Sequence, residues 1–412
     1  MRTLTRQASA TLIAVLLWNA GFAAEATSEE PASGKWPVAA KAGLFEILGA
    51  TVIAPAAKSA DDTSGGDPNT VMGAQEVLIP LPLAYRDQAP LSYALQVTPP
   101  SSAAAVEIVR DGPHNSILKV KLAAGRRGSV KITFRSVVLI GPSDFTTIPQ
   151  TAPMPQEWPE EAAPWLAATW CADADNERIR ALTADIRAET NDVLEATRRV
   201  HSLMGTILRS AKGRGNALTA VEALDNRGSC TSCANLVAAL LRASGVPARI
   251  VAGYPSWSGP LQTHYIVEGY VPGYGWRPIE STLGQAPWPN TQQAHVAIIP
   301  PQHEAEACAG PRVGVAGGVP YLSLTELPGN DGSCIAVGAI KDAMGCDHHC
   351  RALKALEGTG DEWARATAAA TTRWNAWLDS THELTADGRL EFGDPSQSSQ
   401  TKSVAELLET LE

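Results

Sequence analysis

"RGSCTSCANLVAALLRASGVPARIVAGY", residues 227–254, sets a cysteine just behind a glycine and just ahead of an almost unbroken apolar run. From Ala234 to Ala243 nearly every side chain is apolar, and Gly245 then Pro247 supply a stop. The run therefore predicts a helix that is apolar on nearly all sides, hence a buried one. Cys230 and Thr231 fall at its N-terminus, where unpaired backbone N–H groups and the helix dipole stabilise an anion and lower a thiol pKa. The same N–H groups suit the oxyanion of a tetrahedral intermediate. The closing "ARIVAGY" reads as a short strand.

Beyond it, "THYIVEGYVPGYGWRPIEST", 263–282, reads as two strands around the turn "VPGYG". A turn centred on Gly273 puts His264, Ile266, Glu268 and Tyr270 on one face with Trp276, Pro278, Glu280 and Thr282. His264 then faces Thr282, with Glu280 a diagonal step of roughly 7–8 Å away. A shift of the turn centre by one residue sets His264 directly opposite Glu280. Either way one segment holds a thiol at a helix start, an imidazole, and a carboxylate able to orient it, which is what cysteine catalysis requires.

These pieces resemble the three consecutive motifs of the transglutaminase-like superfamily: a cysteine two residues after a glycine, "H-x-x-x-E-x-Y", and "W-x-x-x-D-x-T". They map onto Cys230, His264 and, at the third position, Glu280, where the family usually has aspartate. The extra methylene moves that carboxylate by about one carbon–carbon bond. The resemblance covers about 176–282, including "AVEALDNRGSC" and the helical pattern at 176–208. More weakly, "EVLIPLPLAYRDQ", 76–88, resembles the β-rich domain that precedes this core in some exported bacterial members. The resemblance implies an α+β fold with a papain-like core, a helix-borne cysteine packed on an antiparallel sheet, behind a β-sandwich domain. It implies Cys230 as nucleophile, His264 as acid–base and Glu280 as orienting group. Glu268 is the fallback for the third role, or else a structural partner of Arg249.

Outward from this core, strand alternation runs from about Gly43 to Gly141 and is clearest in "SVKITFRSV", where Val130, Ile132 and Phe134 share a face. The expected layout is a leader (1–24), a linker (25–42), a β-sandwich-like domain (43–145), a Pro-rich linker (146–165), the transglutaminase-like core (166–325), a C-terminal helical region (326–392) and a polar tail (393–412). Helical stripes are expected at Ile179, Leu182 and Ile186, and at Val193, Ala196, Val200, Leu203 and Ile207.

The first residues, "MRTLTRQASATLIAVLLWNAGFAAEA", place Arg2 and Arg6 before a short apolar stretch and small residues around Ala23, the layout of a secretory signal. The expected location is periplasmic or secreted. Net charge is −10 and becomes −12 without the leader, which holds two arginines and no acidic residue. That balance argues against nucleic acid and anionic membrane surfaces as partners. Seven cysteines in an oxidising compartment leave at least one without an intramolecular partner. Cys233 reads as a core thiol or a disulfide half. "GCDHHC", 345–350, favours disulfides involving Cys346 and Cys350, with Cys308 and Cys334 as further partners, over a metal site through His348 and His349. His295 and His303 receive no role.

The expected protein is an exported cysteine enzyme acting on peptide or protein amides, cell-wall peptide among the candidates, with no cofactor motif. The alternatives are a cysteine peptidase and a non-catalytic peptide-binding scaffold. Oligomeric state is left open by the sequence.

Overall fold

Period-two patterning builds the first half of the chain. The computed structural model describes residues 42–53, 71–142, 150–210, 219–226, 228, 230–255, 264–279, 281, 293–304, 335–336, 350–394 and 400–411. The expected leader lies outside them. Six strands come first: β1 (Gly43–Ile53), β2 (Gln75–Pro80), β3 (Gln88–Thr98), β4 (Ala103–Asp111), β5 (Asn115–Leu122) and β6 (Val130–Ile140). β2, β5 and β4 form one antiparallel sheet, and β1, β6 and β3 the middle of another. Val130, Ile132 and Phe134 of β6 are buried while the residues between them are half-exposed, as the alternation requires.

The second half is built around one helix. α1 (Glu177–Glu189), α2 (Val193–Ser210) and α3 (Ala220–Asp225) surround α4 (Cys230–Ala243), which also packs against β7 (Ala248–Pro255) and β8 (His264–Val271). With β9 (Gly275–Ile279) and β10 (Gln293–Ile299) these strands form an antiparallel sheet in the order β10-β7-β8-β9. Every residue from Ser232 to Ala243 is buried, as the all-round apolar sequence demands. The helix stops where Gly245 turns the chain and the Val246 N–H bonds the Leu241 carbonyl at 2.9 Å. On α1 the expected stripe is corrected: Ile179 and Ile186 are buried, but Leu182 is 37% exposed. Thr183 takes its place in the interior, its hydroxyl satisfied by the Ile179 carbonyl at 3.1 Å. On α2, Val193, Ala196, Val200 and Ile207 are buried and Leu203 is half-buried.

β8 and β9 pair with Val267 opposite Ile279, Glu268 opposite Pro278 and Tyr270 opposite Trp276, the register centred on Gly273. Gly273 and Gly275 hold φ of +76° and +71°, a left-handed backbone that L side chains rarely adopt, so the turn uses glycine at both.

The C-terminal expectations are corrected as well. The 326–392 region is not solely helical: β11 (Ile335–Ala336) and β12 (Cys350–Ala355) pair with β1, and β13 (Arg389–Phe392) pairs with β3, completing the N-terminal sheet. Its helix, α5 (Gly360–Leu378), starts at a Thr359–Glu362 capping box. The described part of the polar tail carries α6 (Val404–Leu411), whose Val404, Leu407 and Leu408, at 3- and 4-residue spacing, are buried with Trp363, Leu44 and Val137. The Pro-rich stretch, described from Gln150, is pinned rather than free: Met154 N–H bonds Asn191 O at 2.9 Å, and Val193 N–H bonds Ala152 O at 2.8 Å.

One buried ion pair locks the end of α4. Arg242 donates to both Glu304 carboxylate oxygens and, through Nε at 3.0 Å, to the Ala248 carbonyl at the start of β7. Both charged side chains are fully buried. Replacing Arg242 by Leu strands the Glu304 carboxylate and is expected to cost about 3–5 kcal/mol, measured as a lower urea midpoint; a midpoint unchanged from the parent would show that the pair holds nothing.

Candidate active site

Cys230 is the first residue of α4, and it and Thr231 are partly exposed where Ser232 to Ala243 are buried. His264 opens β8 and is nearly buried. The fold brings them together: burial pushes the Cys230 thiol pKa up, but a hydrogen bond to the His264 side chain, the imidazole charge, the Tyr265 backbone N–H and the Thr231 hydroxyl outweigh it. The net pKa is lowered. The arrangement thus eases ionisation of the Cys230 thiol against the burial that opposes it.

Glu280 follows β9 directly and lies outside the described residues. Its neighbour Ser281 is buried, with its hydroxyl 3.5 Å from the Tyr265 carbonyl.

Glu268, the fallback, is committed elsewhere. Arg249 Nε donates to its Oε2 at 2.8 Å, and Tyr85 Oη donates to Oε1 at 3.0 Å, with Arg86 Nη1 3.2 Å from the same oxygen. Burial raises the pKa of this carboxyl, but Arg249, Arg86 and the other partners hold it down to about 2. It also stands four residues along β8 from His264, about 13 Å at strand spacing. Its role is structural, in the pairing with Arg249 that the shared face suggested.

Sequence reasoning missed what surrounds that carboxylate. Tyr85 and Arg86 belong to a tight turn in which Tyr85 and Gln88 exchange backbone hydrogen bonds at 3.0 Å and Arg86 takes a left-handed φ of 56°. His295 on β10 is nearly buried, and its Nδ1 lies 2.7 Å from Tyr85 Oη. The single phenolic proton goes to the ionised Glu268, so the His295 Nδ1–H is the donor to Tyr85 and its Nε2 carries a lone pair. The sequence signal was present in "LAYRDQ", an aromatic and two charges between apolar strands, but nothing local tied it to a histidine more than two hundred residues on.

Residues 180–281 match the family model of the transglutaminase-like superfamily. This segment is a transglutaminase-like core. A solved structure described as "a Putative Cysteine Protease from Cytophaga hutchinsonii" aligns with a TM-score of 0.45 and 20% identity, covering 62% of this chain and 81% of that one. No curated protein sequence matches the chain.

Around the transglutaminase-like core, the four described cysteines, Cys171, Cys230, Cys233 and Cys350, are thiols rather than disulfide halves. Cys233 is a core thiol, one of the two readings of the sequence. Cys350, expected in a disulfide, is fully buried in β12, and desolvation pushes its pKa up to about 12. Cys308, Cys334, Cys346, His348 and His349 lie outside the described residues. Among the described residues no group of three or more His, Cys, Asp or Glu side chains converges on a metal position. No described helix is long and apolar enough to cross a membrane.

The buried network sets a pH dependence. Desolvation, reinforced by Arg86, lowers the His295 pKa from 6.5 to about 4, so the folded state holds it neutral. A depressed histidine contributes stability above its unfolded pKa and loses it as pH falls toward the folded value. Glu268, also depressed, loses its contribution lower, as pH falls from the ordinary carboxyl range toward about 2. Urea midpoints measured from pH 7 to pH 4 should therefore decline, and His295→Asn should flatten the decline; equal slopes in both proteins would remove His295 as its source.

Proposed function

We propose that the transglutaminase-like core catalyses acyl transfer from, or hydrolysis of, peptide and protein amides through a Cys230 thioester. The observation that carries this reading is the Cys230–His264 pair at the start of α4, where hydrogen bonding and charge lower a thiol pKa that burial alone would raise. Glu280, next in sequence after β9, is the proposed third member that orients the imidazole. The leader-like first 24 residues support export, so the proposed site of action is the periplasm or the exterior.

In this reading the thiolate attacks the amide carbonyl carbon, and the carbonyl electron pair moves onto oxygen beside the helix-start N–H groups. The imidazolium of His264 then protonates the leaving nitrogen, the C–N bond breaks, and ammonia or an amine departs. The thioester is resolved when His264 takes a proton from water or an acceptor amine as that group attacks, and the thiolate returns with an acid or a new amide released. Hydrolysis of a backbone amide makes the protein a peptidase; attack on a glutamine side chain makes it a deamidase or transamidase.

Mass spectrometry on a peptide pool incubated with the protein and a primary amine separates these outcomes. Backbone fragments, a one-dalton gain at glutamine, or amine addition each require Cys230 and should vanish in Cys230→Ala; products surviving in that variant would sink the proposal. His264→Ala should lower kcat/KM by about 10²- to 10⁴-fold. In parallel, the rate of Cys230 alkylation against pH should show a midpoint below the ordinary thiol value of about 8.5. The midpoint should move up in His264→Ala. Ordinary reactivity in both proteins would instead mark a peptide-binding scaffold.

A further inference from the structure

The face of the sheet that carries His264 holds three polar atoms without a hydrogen-bond partner: both ends of the Gln293 carboxamide and Nε2 of His295. Gln293 is 1% exposed and His295 5%. A buried donor or acceptor left unmet is costly. A carboxamide unmet at both ends calls for a ligand more than for a packing role.

The register places these atoms. His295 pairs with Gly253 on β7, and Gly253 pairs with His264 on β8. Directly paired residues of antiparallel strands project to the same face, so His295, Gly253 and His264 form a row, with the two histidine Cα atoms about 10 Å apart. Gln293, two residues before His295, shares that face. Glycine at 253 lets the Gln293 and His295 side chains lie close over the middle of the row: a Cβ there would lie 2.8 Å from the Ala294 carbonyl oxygen and 3.2 Å from both Gln293 Cδ and His295 Cδ2. His264 thus stands on one side of Gly253 and the unmet groups on the other. The Nδ1–H tautomer of His295, fixed through Tyr85, makes its Nε2 an acceptor.

We propose that Gln293 and His295 form an amide-binding subsite beside His264, which receives a backbone peptide unit next to the carbonyl that Cys230 attacks. Gln293 Oε1 accepts the N–H of one extended substrate residue and Gln293 Nε2 donates to the C=O of that same residue, two groups an extended chain points to one side, and His295 Nε2 accepts a second N–H. The substrate class is thus a peptide read through its backbone, rather than an ester or an isolated acyl group. This rests on Cys230 as the nucleophile of the proposed function and adds the residues that hold the substrate.

The test uses two alkylating probes on the full chain, N-acetylglycine chloromethyl ketone and its N-methyl counterpart, which differ by one N–H. Cys230 displaces chloride from either to form a thioether, counted by mass. The parent is expected to react about tenfold faster with the N–H probe, as one buried hydrogen bond of about 1.4 kcal/mol provides. In Gln293→Met, nearly isosteric and apolar, the ratio should fall toward one, while the melting temperature holds or rises because an unmet carboxamide has been removed. If Gln293→Met does not fold, Gln293→Asn, which withdraws the carboxamide by one methylene, is judged by the same ratio. A ratio near one in the parent, or one that the variant leaves unchanged, overturns the subsite and leaves these atoms to solvent. Alkylation needs no turnover, so a protein that prefers the N–H probe yet transforms no amide keeps the subsite and refutes the proposed function, whereas active protein with an unchanged ratio does the reverse.

Discussion

A carboxylate taken out of water costs several kcal/mol unless cations and donors surround it, and Glu268 lies fully buried in the middle of β8. Its cations come from two distant places: Arg249 from the neighbouring strand, and Arg86 from a turn in the N-terminal β region. Neither half of the chain satisfies this group alone. Arg86 accepts a left-handed backbone conformation to reach it. Arg249 is further held with its guanidinium 4.3 Å from the centre of the Trp276 ring, on the next strand but one. The strand that opens with His264 is therefore fastened at its centre by charges that must all be present together.

The edge of the same sheet is fastened from the same side. β10 is an edge strand, and an edge with open N–H and C=O groups is a hazard. Here the His295 N–H meets Gln88 Oε1 at 2.8 Å, the Leu83 N–H meets the His295 carbonyl at 3.0 Å, and the Asn115 carboxamide takes both the N–H and the carbonyl of Ile298. Beneath these bonds Leu83 joins Val251, Ile266 and Ile298 in one apolar cluster. The β-rich region thus acts as a clamp on the sheet of the transglutaminase-like core, holding in place the strand that carries Gln293 and His295, two strands from the one that carries His264.

The sequence disclosed what is local or periodic. An apolar run with a glycine stop can only be a buried helix, so α4 and the place of Cys230 at its start were legible, and the turn glycines set the β8–β9 register. Leu182 was misjudged because helical spacing cannot say how wide the buried stripe is, and Thr183 hides its polarity by bonding its own helix. The strands at residues 350–355 and 389–392 were hidden for another reason: each is too short to declare itself and forms only because β1 and β3 offer open edges more than two hundred residues away. Glu268 is the instructive case among the site residues. The family pattern marks it, its face includes His264, and only the positions of Tyr85 and Arg86 show that it is spoken for.

The lowering of the Cys230 pKa is itself conditional. Burial is the largest influence on Cys230 and opposes ionisation, so the low pKa exists only while His264 and the Tyr265 N–H face the sulfur. Both belong to the first two residues of β8, and β8 keeps its place through Glu268 and the clamp from the β-rich region. A change at Arg86 or Tyr85, remote in sequence, therefore reaches Cys230 through the position of one strand.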